Sequence, residues 1–281
     1  MVNTLGRLGA WQRTALATPE LAAGLELLGY GALWLGGSPG GDLAEVEELL
    51  DATESLVVAT GIVNIWKDDA GTIAAAWHRI TARHPGRFLL GIGVGHPEAT
   101  SAYTQPYRAL ETYLDRLDEA EVPVADRVLA ALGPKVLRLS ALRSAGAHPY
   151  LTTPEHTRQA REVLGDGVLL APEQKAVIDP DPVRARAIGR PVIAKPYLSL
   201  ANYTGNLRRL GYTDAEFADG GSDQLIDALL AHGDASAVAS RIVEHLDAGA
   251  DHVTVQILTA PGADLLDGYR QVAAELLSVA E

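Results

Sequence analysis

The stretch RFLLGIGVGHPEA, residues 87–99, joins an apolar run to three evenly spaced glycines. Such a run is typical of a strand that ends at a phosphate-binding loop. A dinucleotide-binding fingerprint, however, needs G-x-G-x-x-G with the helix beginning inside the motif. Here Gly95 comes one residue early, His96 stands where the third glycine belongs, and Pro97 follows. The stretch therefore predicts a strand that ends at a ligand site, and it excludes a dinucleotide fingerprint.

Short apolar runs alternate with longer amphipathic stretches along the rest of the chain. This alternation is typical of a parallel sheet with right-handed crossovers. Eight candidate strands in 281 residues favour an α/β fold, a single (β/α)8 TIM barrel, over an open sheet. The predicted strands are Leu5–Trp11, Ala32–Leu35, Leu56–Ile62, Phe88–Gly93, Arg127–Leu132, Ala147–Leu151, Val168–Ile178 and His252–Ile257. The helical patterns between them include Leu21–Leu28, Ile73–His84, Tyr107–Ala120, Val136–Ala145 and His156–Leu164.

The segment between the seventh and eighth predicted strands is too long for one helix. It contains helical patterns at Ser199–Leu210, Asp223–Ala231 and Ser236–Ala248. We therefore expect a helical insertion between strands 7 and 8, at approximately residues 180–220, followed by the regular seventh helix. Because no low-complexity linker interrupts the chain, residues 1–281 are predicted to form one domain.

Composition and charge exclude several classes of function. A formal net charge of −13 disfavours a nucleic-acid partner, because the phosphate backbone demands clustered cations. The absence of cysteine excludes disulfides, thiolate metal sites and a cysteine nucleophile. No H-E-x-x-H spacing, membrane-length apolar run or signal-peptide pattern is present. We therefore expect a cytoplasmic protein that binds a small molecule, without a metal or a membrane.

Barrel geometry predicts where a ligand binds. Active sites of (β/α)8 barrels lie at the carboxyl ends of the strands, where Gly93 and Gly95 allow a planar ligand to approach and His96 follows. Helix N-termini lie at the same face, and their unpaired N–H groups favour phosphate. The best candidates are the helix starts at Gly133-Pro134-Lys135 and Thr153-Pro154.

Several segments, taken in order, match one known family. They are Ala59–Asn64, the P-x-R-x-x-L-G-x-G pattern within His84–Gly95, Gly133–Leu137, Thr153–Thr157 and Gly233–Gln256. Together they cover nearly the whole chain, which resembles the bacterial luciferase-like superfamily and, within it, the branch that uses the deazaflavin coenzyme F420. The third strand of that family carries a bulge with a non-prolyl cis peptide behind the coenzyme ring. The resemblance places this peptide at Gly61-Ile62.

The resemblance implies an oxidoreductase that transfers a hydride between F420 and a small organic substrate. Several members carry an acidic general acid at the position of His96, whose imidazole suits proton donation near neutral pH. Trp11 and Trp66 are expected to form apolar walls of the substrate pocket. The expected cofactor-binding residues are Gly61, Ile62, Val63, Asn64, Gly93, Val94, Gly95, Gly133, Pro134, Lys135, His148, Pro149, Tyr150 and Thr153.

Two rival interpretations stay open. One is an FMN-dependent monooxygenase of the same superfamily, and the other is a non-catalytic barrel that binds a flavin or deazaflavin. Some relatives carry an Asp-His pair after the second strand, where this chain has the glycine-rich segment Leu35–Gly41. Their sugar-phosphate dehydrogenase chemistry is therefore not implied. Relatives often form homodimers through helices on one side of the barrel, and for this chain the resemblance leaves the oligomeric state open.

Overall fold

The computed structural model describes residues 5–96 and 105–277. Within these ranges the chain forms eleven strands and twelve α-helices. The strands are β1 Leu8–Arg13, β2 Ala32–Gly36, β3 Val57–Gly61, β4 Val63–Asn64, β5 Phe88–Gly93, β6 Arg127–Leu129, β7 Gly146–Ala147, β8 Leu169–Leu170, β9 Glu173–Ile178, β10 Leu230–Gly233 and β11 Val253–Ile257. The helices are α1 Pro19–Leu27, α2 Ala44–Asp51, α3 Ala70–Arg83, α4 Pro106–Glu119, α5 Pro134–Arg143, α6 Pro154–Leu164, α7 Pro182–Ala194, α8 Ala201–Arg209, α9 Asp214–Phe217, α10 Asp223–Leu229, α11 Ala235–Asp247 and α12 Leu265–Leu276.

Every described strand pair is parallel, and the sheet closes into a barrel. The order runs β10-β9-β11-β1-β2-β3-β5-β6-β7-β8, with β4 paired to β5. Only two residues separate β8 from β9, so these segments form the seventh barrel strand. On one side of it, Asp251 N–H donates to the Leu170 carbonyl (3.0 Å); on the other, Glu173 N–H donates to the Pro149 carbonyl (2.8 Å). The predicted TIM barrel is confirmed.

The predicted strands differ from the observed ones mainly at their ends. Phe88–Gly93 is observed with the predicted bounds. The predicted strand Leu56–Ile62 stops at Gly61, where a cis peptide to Ile62 precedes β4. Of the predicted strand Ala147–Leu151, only Ala147 belongs to an observed strand, β7. Pro149 has no N–H to donate to a neighbouring strand, so regular pairing does not continue.

The segment between β9 and β11 contains helices α7 to α11 and the strand β10. The three predicted helical patterns correspond to α8, α10 and α11, whereas α7, α9 and β10 were not predicted. β10 pairs with β9, and α10 ends where it begins. Side chains of α7, α8 and α10 form an apolar cluster separate from the main core. Residues of the barrel wall, such as Val177 in β9, also belong to this cluster, so it packs these helices against the barrel.

No helix in the described ranges is both long enough and apolar enough to cross a bilayer. The same ranges contain no group of three or more His, Asp or Glu side chains placed to hold a metal ion.

Candidate active site

A cavity of about 580 Å³ opens at the carboxyl ends of the barrel strands. It lies between the strand ends and the segment at residues 197–209, which brings side chains of α8 over the barrel. Eleven of the residues singled out from the sequence line it, namely Trp11, Gly61, Ile62, Asn64, Val94, Gly95, His96, Gly133, Lys135, His148 and Tyr150. The structure therefore brings most of the expected site residues together.

The bulge at the end of β3 forms part of the cavity wall. The Gly61-Ile62 peptide is cis, at the position that the resemblance implied. Thr60 Oγ1 accepts from Gly91 N–H and donates to the Gly91 carbonyl, both at 2.8 Å, which ties β3 to β5 beneath the bulge. A Cβ at Gly91 would come within 1.8 Å of the Thr60 carbonyl oxygen. Glycine at this position therefore serves close packing of two strands, not ligand binding.

The other two glycines of the run have different roles. A Cβ at Gly93 would lie 2.9 Å from the Ile62 side chain and 3.1 Å from Ala130, and Gly93 is not part of the cavity lining. Gly95 does line the cavity. Its φ of +57° suits glycine, and a Cβ there would lie 2.5 Å from Asn64 Nδ2. Only the last glycine of the run therefore borders the ligand space.

Six residues singled out from the sequence lie outside the cavity lining, namely Val63, Trp66, Gly93, Pro134, Pro149 and Thr153. Trp66 does not form a pocket wall; its indole N–H donates to the Val94 carbonyl (2.9 Å) and braces the loop after β5. The Thr153 hydroxyl accepts from His156 N–H and caps α6. Val63 is fully buried in the pairing of β4 with β5.

His96 follows β5 and lines the cavity. Its Nδ1 lies 3.5 Å from Asn202 Nδ2, and its ring centroid lies 5.5 Å from that of Tyr203. Both partners belong to α8. The imidazole is thus held between the loop after β5 and the helical segment, in position to reach a ligand.

The charged residues of the cavity lining are two cations. Lys135 lies in the first turn of α5, with its Nζ 4.2 Å from the centroid of the Tyr107 ring. Arg209 ends α8 near Gly133, where a Cβ would lie 3.6 Å from Arg209 Nη2. Gly133 is the residue before α5, and because it has no side chain it makes no capping hydrogen bond to the first turn of that helix. In a chain of net charge −13, the described lining carries no carboxylate, so this end of the cavity favours an anion.

A buried polar chain supports the aromatic wall. Tyr197 O–H donates to Tyr150 Oη (3.3 Å), and Tyr150 O–H donates to Gln256 Oε1 (3.1 Å). Lys175 Nζ donates to the same oxygen (2.8 Å) and to Glu173 Oε1 (3.0 Å). Burial raises the pKa of Glu173 and lowers that of Lys175, whereas their ion pair opposes both shifts. This series of hydrogen bonds fixes the side chains of Tyr150 and Tyr197 against the cavity.

His148 packs flat against Trp34, with ring centroids 4.2 Å apart and planes 19° apart. Its Nδ1 lies 2.7 Å from the Ala171 carbonyl. Burial lowers the pKa of His148 to about 4, so the ring is neutral near pH 7. Because a carbonyl only accepts, Nδ1 carries the hydrogen and Nε2 presents a lone pair.

Neither the known family models nor the curated protein sequences give a significant match to this chain. Solved structures, in contrast, match it along nearly its whole length. An F420-dependent secondary alcohol dehydrogenase with an F420-acetone adduct has a TM-score of 0.74 at 14% identity, over 98% of this chain and 99% of its own. The coenzyme F420-dependent tetrahydromethanopterin reductase of Methanopyrus kandleri has a TM-score of 0.72 at 16% identity, over 97% and 99%. The oxygenating constituent of 3,6-diketocamphane monooxygenase from Pseudomonas putida, in complex with FMN, has a TM-score of 0.66 at 12% identity, over 96% and 95%.

The chain has the luciferase-like fold. This barrel accounts for the order of the motifs found in the sequence and for the position of the cavity at the strand ends. Gly37 and Ser38, from the loop after β2, line the cavity without supplying an acid or a base.

Sequence reasoning missed the part of the site that α8 and β9 supply. Tyr197, Tyr203 and Arg209 lie in the segment that covers the barrel. Whether that segment reaches the cavity depends on the shape of its loops, and no local sequence pattern indicates this shape. Glu173 and Lys175 did leave a signal. Two opposite charges two residues apart, within a predicted barrel strand, must face the same side of the sheet. That pattern indicates a paired charge inside a luciferase-like barrel.

Proposed function

We propose that this chain is an F420-dependent oxidoreductase that transfers a hydride between the coenzyme and a small organic substrate. The observation that carries the proposal is the charge of the cavity. Its lining has Lys135 and Arg209 beside the start of α5, whereas the chain as a whole is strongly acidic. A helix N-terminus with two cations binds a phosphate well. The apolar remainder of the cavity suits a planar ring.

The residues of the cavity fit a deazaflavin coenzyme. Gly61, Ile62 and Asn64 would contact one face of the ring at the bulge, and Gly95 borders the same space at a position where a side chain would collide with Asn64. Lys135 and Arg209 would bind the phosphate. When bound, the deazaflavin supplies a ring carbon that exchanges a hydride with the substrate. The protein contributes binding, orientation and exclusion of water.

His96 is the proposed proton donor and acceptor for the substrate. It lies on the cavity lining between Asn202 and Tyr203, and an imidazole exchanges protons near neutral pH. The described cavity lining offers no carboxylate for this role. In the direction of reduction, the imidazole would give a proton to the substrate oxygen while the carbon gains a hydride. In the direction of oxidation, it would take the hydroxyl proton while the carbon loses a hydride.

A second candidate is an FMN-dependent monooxygenase. It is supported by the FMN-containing structure named above, whose barrel this chain shares. FMN also carries a phosphate, so the same cationic end of the cavity suits it.

The test is a titration of the purified protein with oxidised F420 and, separately, with FMN, followed by cofactor fluorescence. We expect saturable binding of F420 at micromolar concentrations or below, and weaker binding of FMN. Tighter binding of FMN would favour the monooxygenase. If neither cofactor binds, the proposed site at Gly61–Asn64 and Gly95–His96 is wrong. If F420 binds but no substrate changes its absorbance in a broad screen, the non-catalytic barrel is favoured.

A further inference from the structure

His156 is a buried histidine that contacts the wall of the cavity from the outside. It lies in the first turn of α6, and only 3% of its surface is exposed. Its Nε2 lies 2.8 Å from the carbonyl oxygen of Leu132, in the loop between β6 and α5. Leu132 and Gly133 line the cavity beside Lys135 and Arg209, whereas His156 does not. The imidazole therefore supports the cationic end of the cavity from behind.

The surroundings of His156 determine which of its nitrogens carries the hydrogen. Burial lowers its pKa below the ordinary 6.5, the hydrogen bond to the Leu132 carbonyl opposes this shift, and the nearby Arg209 guanidinium lowers the pKa again. The ring is therefore neutral at pH 7. Because a carbonyl only accepts, Nε2 carries the single ring hydrogen and donates it to Leu132.

The other ring nitrogen indicates what the histidine contributes. Nδ1 is buried and has no hydrogen-bond partner among the described residues. An unpaired buried acceptor lowers the stability of the folded chain, and a leucine would fill a similar space without this loss. What the polar ring supplies, and an apolar side chain does not, is the N–H group for the Leu132 carbonyl.

The Leu132 carbonyl and the Gly133 N–H belong to one peptide unit. This peptide is trans, so its C=O and N–H groups point in opposite directions. Since the carbonyl points to His156, the Gly133 N–H points to the other side, where Gly133 lines the cavity. Within residues 5–96 and 105–277, no group accepts a hydrogen bond from this N–H. It is therefore a donor that remains available to a ligand.

We propose that His156 is a positioning residue for the anionic group that binds at the start of α5. It holds the Leu132 carbonyl and thereby directs the Gly133 N–H toward the anion. The anion, the Leu132–Gly133 peptide and the imidazole then form one series of hydrogen bonds across the cavity wall. Each bond in such a series polarises the next one. Lys135 supplies charge on a long, flexible side chain, whereas the peptide supplies a donor at a fixed position.

Loss of the imidazole N–H should reorient this peptide. A buried carbonyl without a donor is unfavourable, so the Leu132 carbonyl would turn toward the cavity, where water can bind it. Glycine restricts such a rotation less than any other residue. The same rotation would turn the Gly133 N–H away from the anion. The inference rests on the proposed function only for the identity of that anion, the phosphate of the coenzyme.

The first test uses the unmodified full chain without coenzyme, with inorganic phosphate as the probe. Nuclear magnetic resonance follows the Gly133 amide and the ring N–H of His156 during the titration. We expect both signals to shift with the same dissociation constant, because the two hydrogen bonds share one peptide. The ring N–H of His245 is the internal control. His245 is also buried, its Nε2 lies 3.0 Å from Gln174 Oε1, and it lies outside the cavity lining, so its signal should not move.

The second test compares F420 with the riboside of the same deazaflavin, which lacks the phosphate. His156→Leu should weaken binding of F420 about tenfold and change binding of the riboside less than twofold, because only F420 loses a directed donor. His156→Gln keeps an N–H group and should recover most of the affinity for F420. His245→Leu is the matched control, since it removes a similarly buried imidazole that contacts Thr157 of the same helix (2.8 Å). It should leave the ratio of the two dissociation constants unchanged.

Several results would overturn the inference. One is a Gly133 amide that does not respond to phosphate, and another is a response at Gly133 without one at His156. Equal losses of F420 and riboside binding in His156→Leu would indicate a general structural role, and a folded His156→Gln variant as weak as His156→Leu would exclude the N–H group. If His156→Leu does not fold, the phosphate titration and His156→Gln still decide the question. A chain that fails to bind F420 while phosphate shifts Gly133 and His156 together would overturn the proposed function alone.

Discussion

Lys175 Nζ lies 3.0 Å from Glu173 Oε1, and both side chains are fully buried inside the barrel. Glu173 Oε2 also accepts from Leu151 N–H (3.0 Å), while the ammonium lies 3.8 Å from the centroid of the Tyr150 ring. The ion pair thus connects the seventh strand to the loop after the sixth and to the aromatic wall of the cavity. Neither charge has access to water, so each depends on the other.

Lys175→Met should destabilise the protein by about 3–5 kcal/mol, because it leaves a buried carboxylate without its counter-charge. The double variant Glu173→Gln with Lys175→Met should recover much of this loss. Urea unfolding of the single and double variants measures the coupling free energy between the two side chains. Additive losses would show that the two charges act independently.

Stability should fall as the pH drops below about 6.5. Burial lowers the pKa of His148 and of His252 to about 4, and that of His245 to about 3, from the ordinary 6.5. Between these values the unfolded chain binds more protons than the folded chain, so unfolding becomes easier as pH falls. The stabilisation is complete above pH 6.5 and is lost progressively toward pH 4, at up to about 3 kcal/mol for each histidine.

Urea unfolding between about pH 8 and pH 5 checks this prediction. His245→Gln should make the profile shallower, since it removes one of the titrating groups. A flat profile over this range would contradict the neutral, buried state of the three histidines.

Arg209→Gln should weaken binding of F420 by about fivefold to tenfold, because a phosphate loses one charged hydrogen-bond donor. The dependence of the dissociation constant on salt should also decrease. Arg208→Gln is the matched control, since the neighbouring Arg208 pairs with Asp214 (2.7 Å) and does not line the cavity. Fluorescence titration of both variants with F420 measures the two dissociation constants. Equal losses would indicate a general effect of charge and not a phosphate contact.

His96→Ala should lower the rate of hydride transfer by about 10²–10⁴-fold, the usual contribution of a general acid or base. The dissociation constant of F420 should change little, because the proposed ring contacts come from β3 and β4. Single-turnover absorbance of the coenzyme with its substrate separates the two quantities. A rate within twofold of the unmodified protein would remove His96 from the mechanism.

Gly95→Ala should impair both folding and coenzyme binding, and Gly86→Ala is its control. Both glycines have positive φ, +57° and +74°, so each substitution costs about 1–2 kcal/mol of backbone strain. At Gly86 nothing lies within 4 Å of the added Cβ, whereas at Gly95 it meets the Asn64 amide at 2.5 Å. Asn64 Oδ1 in turn accepts from Trp66 N–H (3.0 Å), so the loop should shift. Thermal unfolding and F420 titration should show the larger effect at Gly95, and equal effects would contradict a clash.

Local signals in the sequence were sufficient for the barrel and for half of the site. Phe88–Gly93 was predicted with its observed bounds because an apolar run followed by glycines leaves little ambiguity. The helix start at Thr153 was predicted from its cap and proline, but the same hydroxyl is used for capping and not for a ligand. A residue type that suits two roles cannot be assigned to one of them without the fold.

The remaining half of the site depends on contacts between distant parts of the chain. Arg209 approaches Gly133 across 76 positions of sequence, and Tyr197 meets Tyr150 across 47. β10 was missed because its first two residues, Leu230 and Ala231, continue the apolar pattern of the preceding helix, and only pairing with β9 makes the segment a strand. Such long-range packing has no periodic signature in the sequence.

The separate apolar cluster of α7, α8 and α10 has a consequence for how this protein can change over evolutionary time. Tyr203 and Leu207 belong to that cluster, while Tyr203 also lines the cavity. Tyr203 is therefore held at the cavity by a small apolar core that is distinct from the main core of the barrel. Substitutions there can alter ligand choice at limited risk to the barrel, so new specificities should arise in this segment before they arise at the strand ends.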